Sequence, residues 1–118
     1  IMGLYLLNGF SPAMLDPSIL SAVYFTQMPV AMLCGDLTSN EVTNAIGHKS
    51  TVNLINQICH TDLKENRIQV KLQNGDEAYI IVVTERLEEG KVLSDGEIKK
   101  MFEDDKIKIY RAEVHVVV

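Results

Sequence analysis

Ile68, Val70 and Leu72 alternate with Gln69, Lys71 and Gln73, a two-residue period that predicts a strand with one buried face. Asn74-Gly75-Asp76 then supplies a turn, and Ala78 to Thr84 (AYIIVVT) follows as an almost unbroken apolar run. Together these segments predict a β-hairpin. The second arm has no polar face, which places it inside a sheet covered on both sides. Met2 to Leu7 is a shorter apolar run ending in the turn formers Asn8-Gly9-Phe10-Ser11-Pro12, as expected of a buried strand that empties into a loop. Ser21 to Gln27 carries Val23, Tyr24, Phe25 and Thr26, residues that favour strands. The stretch from Pro29 to Leu37 has no clear period and is compatible with a short helix.

Helical spacing is clear in two places. From Ser50 to Cys59, Val52, Ile55 and Cys59 form a stripe flanked by Leu54 and Ile58, with Ser50 as the expected N-cap. Ser94-Asp95-Gly96-Glu97 reads as a capping box, with Leu93 and Ile98 spaced as a hydrophobic staple around it. That helix should run to about Asp104. Ile107, Ile109 and the valine-rich tail from Val114 to Val118 complete the pattern as a last strand. The expected fold class is α/β: one domain over residues 1–118, built on a mixed sheet of about five strands flanked by helices. No internal repeat or linker interrupts it.

Composition narrows the function classes. With 118 residues, 47% of them hydrophobic and 23% charged, the chain can bury a core without help from disulfides or a metal. No apolar run is long enough to cross a bilayer, and the start lacks the pattern of a secretory signal. Ile1 precedes Met2, which is taken as the initiator. A cytoplasmic protein with no membrane partner is therefore expected. Cys34 and Cys59 fall within apolar patterns and lack a CxxC spacing, so they are expected as buried free thiols, ahead of a bridge or a metal site. A net charge of −5 argues against a face for duplex nucleic acid, which needs clustered positive charge. A small anionic ligand needs only a few local donors and stays compatible with that charge.

Three segments lie at expected strand ends or helix starts, where α/β proteins tend to bind ligands: the Asn8–Ser11 loop, the His48 helix start, and Thr84 to Lys91. Arginine is scarce, three against eight lysines, and Arg67 and Arg86 stand beside apolar runs, where a planar fork would suit bidentate phosphate contact. Each residue also has a plainer role. His48 fits a solvated or capping position, Glu88-Glu89 a solvated turn, and the two arginines strand-end ion pairs. His48, His60 and His115 show no metal-ligand spacing. The residues alone therefore lead to an α/β domain with a candidate phosphate site.

Four ordered stretches, LLNGFSPAML, NAIGHKST, KENRIQVKL and TERLEEGKVLSDGEI, together resemble the small viral ring nucleases. These are the type III anti-CRISPR family that degrades cyclic tetra-adenylate, with homologues in bacteria, phages and mobile elements. The resemblance covers most of the chain except roughly residues 16–42 and the valine tail. Ala13 stands where viral members often carry asparagine, and Glu85 where they often carry glutamine. The resemblance implies that His48 is the principal catalytic residue, with Arg86 and Glu89 as its partners. It also implies ligand contacts from Arg67, Asn8 and Ser11. Gly47 is expected to leave room for the ligand backbone, and Ser50 and Thr51 to contact the ligand at the helix mouth.

The resemblance further implies a metal-independent reaction without a cofactor. A ribose 2′-hydroxyl attacks its neighbouring phosphate, leaving di-adenylate with 2′,3′-cyclic phosphate ends. His48 serves as general acid or base. A homodimer holding the ring across its twofold axis would suit the ligand's symmetry. The outcome would be loss of the second messenger of type III CRISPR signalling, in the host cell cytoplasm if the protein is viral. Two other classes stay open: a cyclic-nucleotide-binding module that sequesters without cleaving, and a small viral or mobile-element interaction protein.

Overall fold

The computed structural model describes residues 2–117. The outermost valine of the expected last strand therefore lies outside the described residues. The elements in chain order are β1 (Leu4–Leu7), a 3-10 turn (Pro12–Met14), β2 (Ser21–Met28), α1 (Val30–Ser39), β3 (Thr43–Asn44), α2 (Lys49–Cys59), β4 (Glu77–Val83), α3 (Asp95–Glu103) and β5 (Ile107–Val116). The five strands form one mixed sheet in the order β2-β5-β4-β1-β3. β1 pairs in parallel with both β3 and β4, whereas β5 runs antiparallel to β4 and β2. The chain is thus an α/β domain with a five-stranded mixed sheet and three helices.

β4 is interior, as its uninterrupted apolar run requires. Tyr79 and Ile81 enter the core under the helices, whereas Ala78 and Ile80 enter a second core on the opposite face. The helix-side core joins Leu6 and Ile109 from the sheet to Leu33 of α1, Leu54 and Ile55 of α2, and Ile98 and Met101 of α3. α3 begins as expected. The Ser94 hydroxyl accepts from the Glu97 amide at 3.1 Å, and the Glu97 carboxylate accepts from the Ser94 amide at 3.0 Å. Leu93 and Ile98 are both buried beside that cap.

The expected hairpin does not form. Gly75, at φ +85°, makes the turn, but the preceding residues cross the open face of the sheet. Val70 and Leu72 face into the second core, and the Leu72 amide donates to the Met14 carbonyl at 2.7 Å. The expected buried face holds for Val70 and Leu72 but not for Ile68, which is exposed, and the backbone partner is the loop after β1. The fifth strand is instead the two-residue β3, too short to leave a period. The stretch after Pro29 is helical, as α1. Ser50 is not the N-cap of α2. His48 occupies that position with an extended backbone, and Ser50 lies inside the first turn.

The cysteines also depart from expectation. Cys34 of α1 and Cys59 of α2 form a disulfide across 25 residues, with Cα atoms 4.9 Å apart. Helix packing brings them together, so no local spacing announces the bond. Closing a loop of 25 residues restricts the unfolded chain by about 3.5 kcal/mol on the loop-entropy estimate. Replacing both cysteines with alanine should lower unfolding free energy by about 2–4 kcal/mol. Denaturation of the oxidised wild type and of the double variant checks this, and reduction should move only the wild type.

Tyr79 is fully buried, and its hydroxyl is doubly engaged. It donates to the Asp36 carboxylate of α1 and accepts from Arg111 at 3.2 Å. Arg111 also donates to Glu77 at 2.7 Å, and this hydrogen bond holds its guanidinium more firmly protonated than usual. Burial, aided by the Asp36 contact, pushes the Tyr79 hydroxyl up to about 12. A raised folded-state value favours the neutral phenol in the native state. Its contribution is therefore complete below about pH 10 and is lost as pH rises through about 12. Tyr79→Phe should cost about 1–3 kcal/mol at neutral pH and flatten this alkaline loss, measured by denaturation across pH 8–12.

Candidate functional site

Because β1, β3 and β4 run in the same direction, their C-terminal ends open on the same end of the sheet. Asn8 follows β1, residues 45–48 lead from β3 into α2, and the loop from Thr84 follows β4. The three segments singled out in the sequence therefore meet. Between them is an open cleft of about 790 Å³. Ile81 and Val83 supply its apolar floor, and Asn8, His48, Thr51, Arg86 and Glu89 contribute polar walls.

His48 is fixed by both ring nitrogens. Nδ1 lies 3.0 Å from the Thr51 hydroxyl one helical turn along, and Nε2 lies 3.2 Å from Glu89 Oε2. Glu89 is brought there by a tight turn in which the Lys91 amide donates to the Glu88 carbonyl at 3.1 Å. Gly90 takes φ +77° in that turn, a conformation that a side chain would strain. Ser50 donates to the Glu88 carbonyl, Gln57 of α2 donates to the Leu93 carbonyl, and Leu87 packs against the helix-side core. The His48–Glu89 pair is half-exposed and contributes little to folding. Its geometry bears on chemistry more than on stability.

His48 makes no side-chain cap bond to α2; its backbone carbonyl accepts from the Val52 amide at 3.1 Å. Arg86 is exposed, lines the cleft and has no carboxylate partner among the described residues. Glu85, Glu88 and Glu89 also line it. Among the described residues that line the cleft, Arg86 is the one permanent cation, set beside three carboxylates. Among the described residues no group of three His, Cys, Asp or Glu side chains is arranged to hold a metal.

Of the other predicted site residues, Asn8 and Thr51 line the cleft, and Ser11, Gly47, Ser50 and Arg67 lie outside its lining. Ser11 caps the 3-10 turn by accepting from the Ala13 amide at 3.3 Å. Gly47 makes room for Arg67, not for the cleft: a Cβ there would stand 2.8 Å from the Arg67 Cβ. Arg67 lies across Gly47 and donates to its carbonyl at 3.3 Å, next to the mouth but outside the lining. Ser50 is buried behind the wall. Thr51 does line the cleft, but its hydroxyl is engaged with His48. The floor residues Ile81 and Val83 were not expected at the site. Their only signal was the apolar run that marked β4.

The family model described as STIV B116-like matches residues 4–110. The chain belongs to the STIV B116-like family. It is 75% identical over 117 residues to uncharacterized protein ORF116 of Acidianus filamentous virus 1, covering 99% of this chain and 100% of that protein. It is 30% identical over 94 residues to uncharacterized protein 26 of Sulfolobus islandicus filamentous virus, covering 80% and 79% respectively. The solved structure of B116 of Sulfolobus turreted icosahedral virus superposes with a TM-score of 0.83 at 42% identity, over 94% of this chain and 98% of that one. The viral part of the expected family thus stands. Among the described residues no helix is long and apolar enough to cross a membrane.

The Gly47–Arg67 packing can be tested by exchange. Gly47→Ala should cost about 1–3 kcal/mol through overpacking. Because the tightest contact is with the arginine's Cβ, followed by Cγ and Nε, adding Arg67→Gly should recover more of that loss than adding Arg67→Ala, as read by chemical denaturation.

Proposed function

We propose that this protein is a metal-independent ring nuclease that cleaves cyclic tetra-adenylate to di-adenylate with 2′,3′-cyclic phosphate ends. The observation that carries the reading is the convergence of His48, Arg86 and Glu89 on one cleft, with Nε2 of His48 held 3.2 Å from Glu89. Resemblance to the ring nucleases assigns roles to the same three residues. In the proposed reaction the ribose 2′-oxygen bonds to the adjacent phosphorus, the bond to the 5′-oxygen breaks, and the 2′-hydroxyl proton leaves to solvent. His48, as imidazolium, delivers a proton from Nε2 to the departing 5′-oxygen. Arg86 offers its fork to the non-bridging oxygens as charge builds there, and Glu89 orients the imidazole.

The substrate supplies its own nucleophile, so positioning and charge stabilisation suffice. A ring of four nucleotides presents opposite phosphates related by a twofold axis. A homodimer with one cleft from each subunit would meet both. Acting in a virus-infected cell, such an enzyme would remove the messenger that activates type III CRISPR ancillary nucleases.

Incubation with cyclic tetra-adenylate in EDTA, followed by chromatography, tests the reading. Di-adenylate products support it, whereas intact but retained ligand makes the protein a sponge, and neither outcome leaves an interaction protein. His48→Ala should lower turnover by about a hundred- to ten-thousandfold while ligand binding survives. Arg86→Lys should be poorly tolerated because the fork is lost. Lys100→Ala, on the outer surface of α3 where Lys100 pairs with Asp104, should be nearly silent.

A further inference from the structure

Three polar or charged side chains are buried among the described residues: Ser50, Thr51 and Asp76. Asp76 has a folding role, since its carboxylate accepts from the Gly3 and Gln73 amides at 2.8 Å each and so ties the turn before β4 to β1. The other two are adjacent at the cleft, Thr51 in its lining and Ser50 behind it. Burying a hydroxyl costs free energy unless it is bonded, and both are bonded to parts of the candidate site. Ser50 donates to the carbonyl of Glu88, the residue before Glu89, and Thr51 meets Nδ1 of His48.

We infer that Ser50 and Thr51 are positioning residues, one holding the loop that carries Glu89 and the other holding the imidazole of His48. This inference rests on the ring-nuclease reading for its kinetic consequence but not for its geometry. The chemistry of Thr51 is specific. A carboxylate only accepts hydrogen bonds, so contact between Nε2 and Glu89 requires a proton on Nε2. Nδ1 is then bare in the neutral ring at rest and protonated in the imidazolium, and it keeps that proton when Nε2 gives its own to the departing oxygen. A hydroxyl serves both states, donating in the first and accepting in the second after rotation about its C–O bond. A backbone carbonyl could serve only a protonated Nδ1. Thr51 therefore lets His48 release and regain a proton with its ring orientation held. Ser50 donates to a carbonyl that keeps the same character throughout, so its task is static.

The test uses Thr51→Val, Thr51→Ser and Ser50→Ala in the full chain, each first checked for folding by thermal melting. In the free protein, ¹⁵N resonances of the His48 ring should respond selectively. Thr51→Val should move Nδ1, Thr51→Ser should restore it, and Ser50→Ala should move chiefly Nε2 through Glu89. With cyclic tetra-adenylate, Thr51→Val should lower kcat about ten- to a hundredfold, the scale of a misplaced catalytic group, with KM little changed, and Thr51→Ser should recover most of it. An unmoved Nδ1 resonance in Thr51→Val overturns the role of Thr51, and an unmoved Nε2 resonance in Ser50→Ala overturns that of Ser50. A raised KM with unchanged kcat would make Thr51 a ligand contact instead. If the wild type cleaves nothing, the ring-nuclease reading fails, and the two resonance shifts still decide the positioning.

Discussion

The parallel pairing of β1 with β3 and β4 is the constraint on which the cleft depends. Parallel neighbours end on the same side of a sheet, so the chain leaving each of these three strands emerges at one place. The pairing is secured by β4, whose two faces enter two separate cores, and by β5, which closes its other edge in antiparallel register. Apolar burial on both faces of one strand thus determines where the polar residues meet.

α2 converts that convergence into fixed geometry. Its C-terminal end is joined to α1 by the Cys34–Cys59 disulfide, and its middle is packed by Leu54 and Ile55. At its N-terminal end, His48 caps the helix by backbone alone, which leaves the imidazole free to bond Thr51 and Glu89. The buried hydroxyls behind it have no core function that alanine and valine could not fill. Their presence next to the cleft is a departure from the apolar composition of the interior, and such departures concentrate where chemistry requires them.

Charge at the cleft is mixed. Three glutamates and one arginine line the same space, so a bound phosphodiester would depend on directed hydrogen bonds more than on a general positive field. This agrees with the net charge of −5 and sets the site apart from a basic nucleic-acid surface. The viral relatives share family and fold with this chain. The chemistry proposed for it comes from His48, Arg86 and Glu89 and from the resemblance of the stretches that carry them.

Features written into neighbouring residues were legible without coordinates. The capping box at Ser94, the buried run of β4, the helical stripe of α2, the strand-favouring residues of β2 and the alternation in β5 each depend on a few neighbouring residues. The site segments could be named for the same reason, since a helix start and strand ends carry local signals. What needed the tertiary structure were choices among distant partners. The period of Ile68 to Leu72 states that one face is buried but not which backbone it bonds, and Leu72 bonds Met14. Cys34 and Cys59 become a bridge only when two helices pack at 4.9 Å between Cα atoms. Ser50 looked like a cap because its type suits one, yet a carbonyl 38 residues away claims its hydroxyl. The neighbours of Thr51 and Gly47, His48 and Arg67 respectively, are likewise set by packing. The sequence by itself determined where most of the elements lie and which residues are chemically suited to a site; packing decided which side chains are buried and whom each one touches, because burial and contact depend on three-dimensional distance and not on separation along the chain.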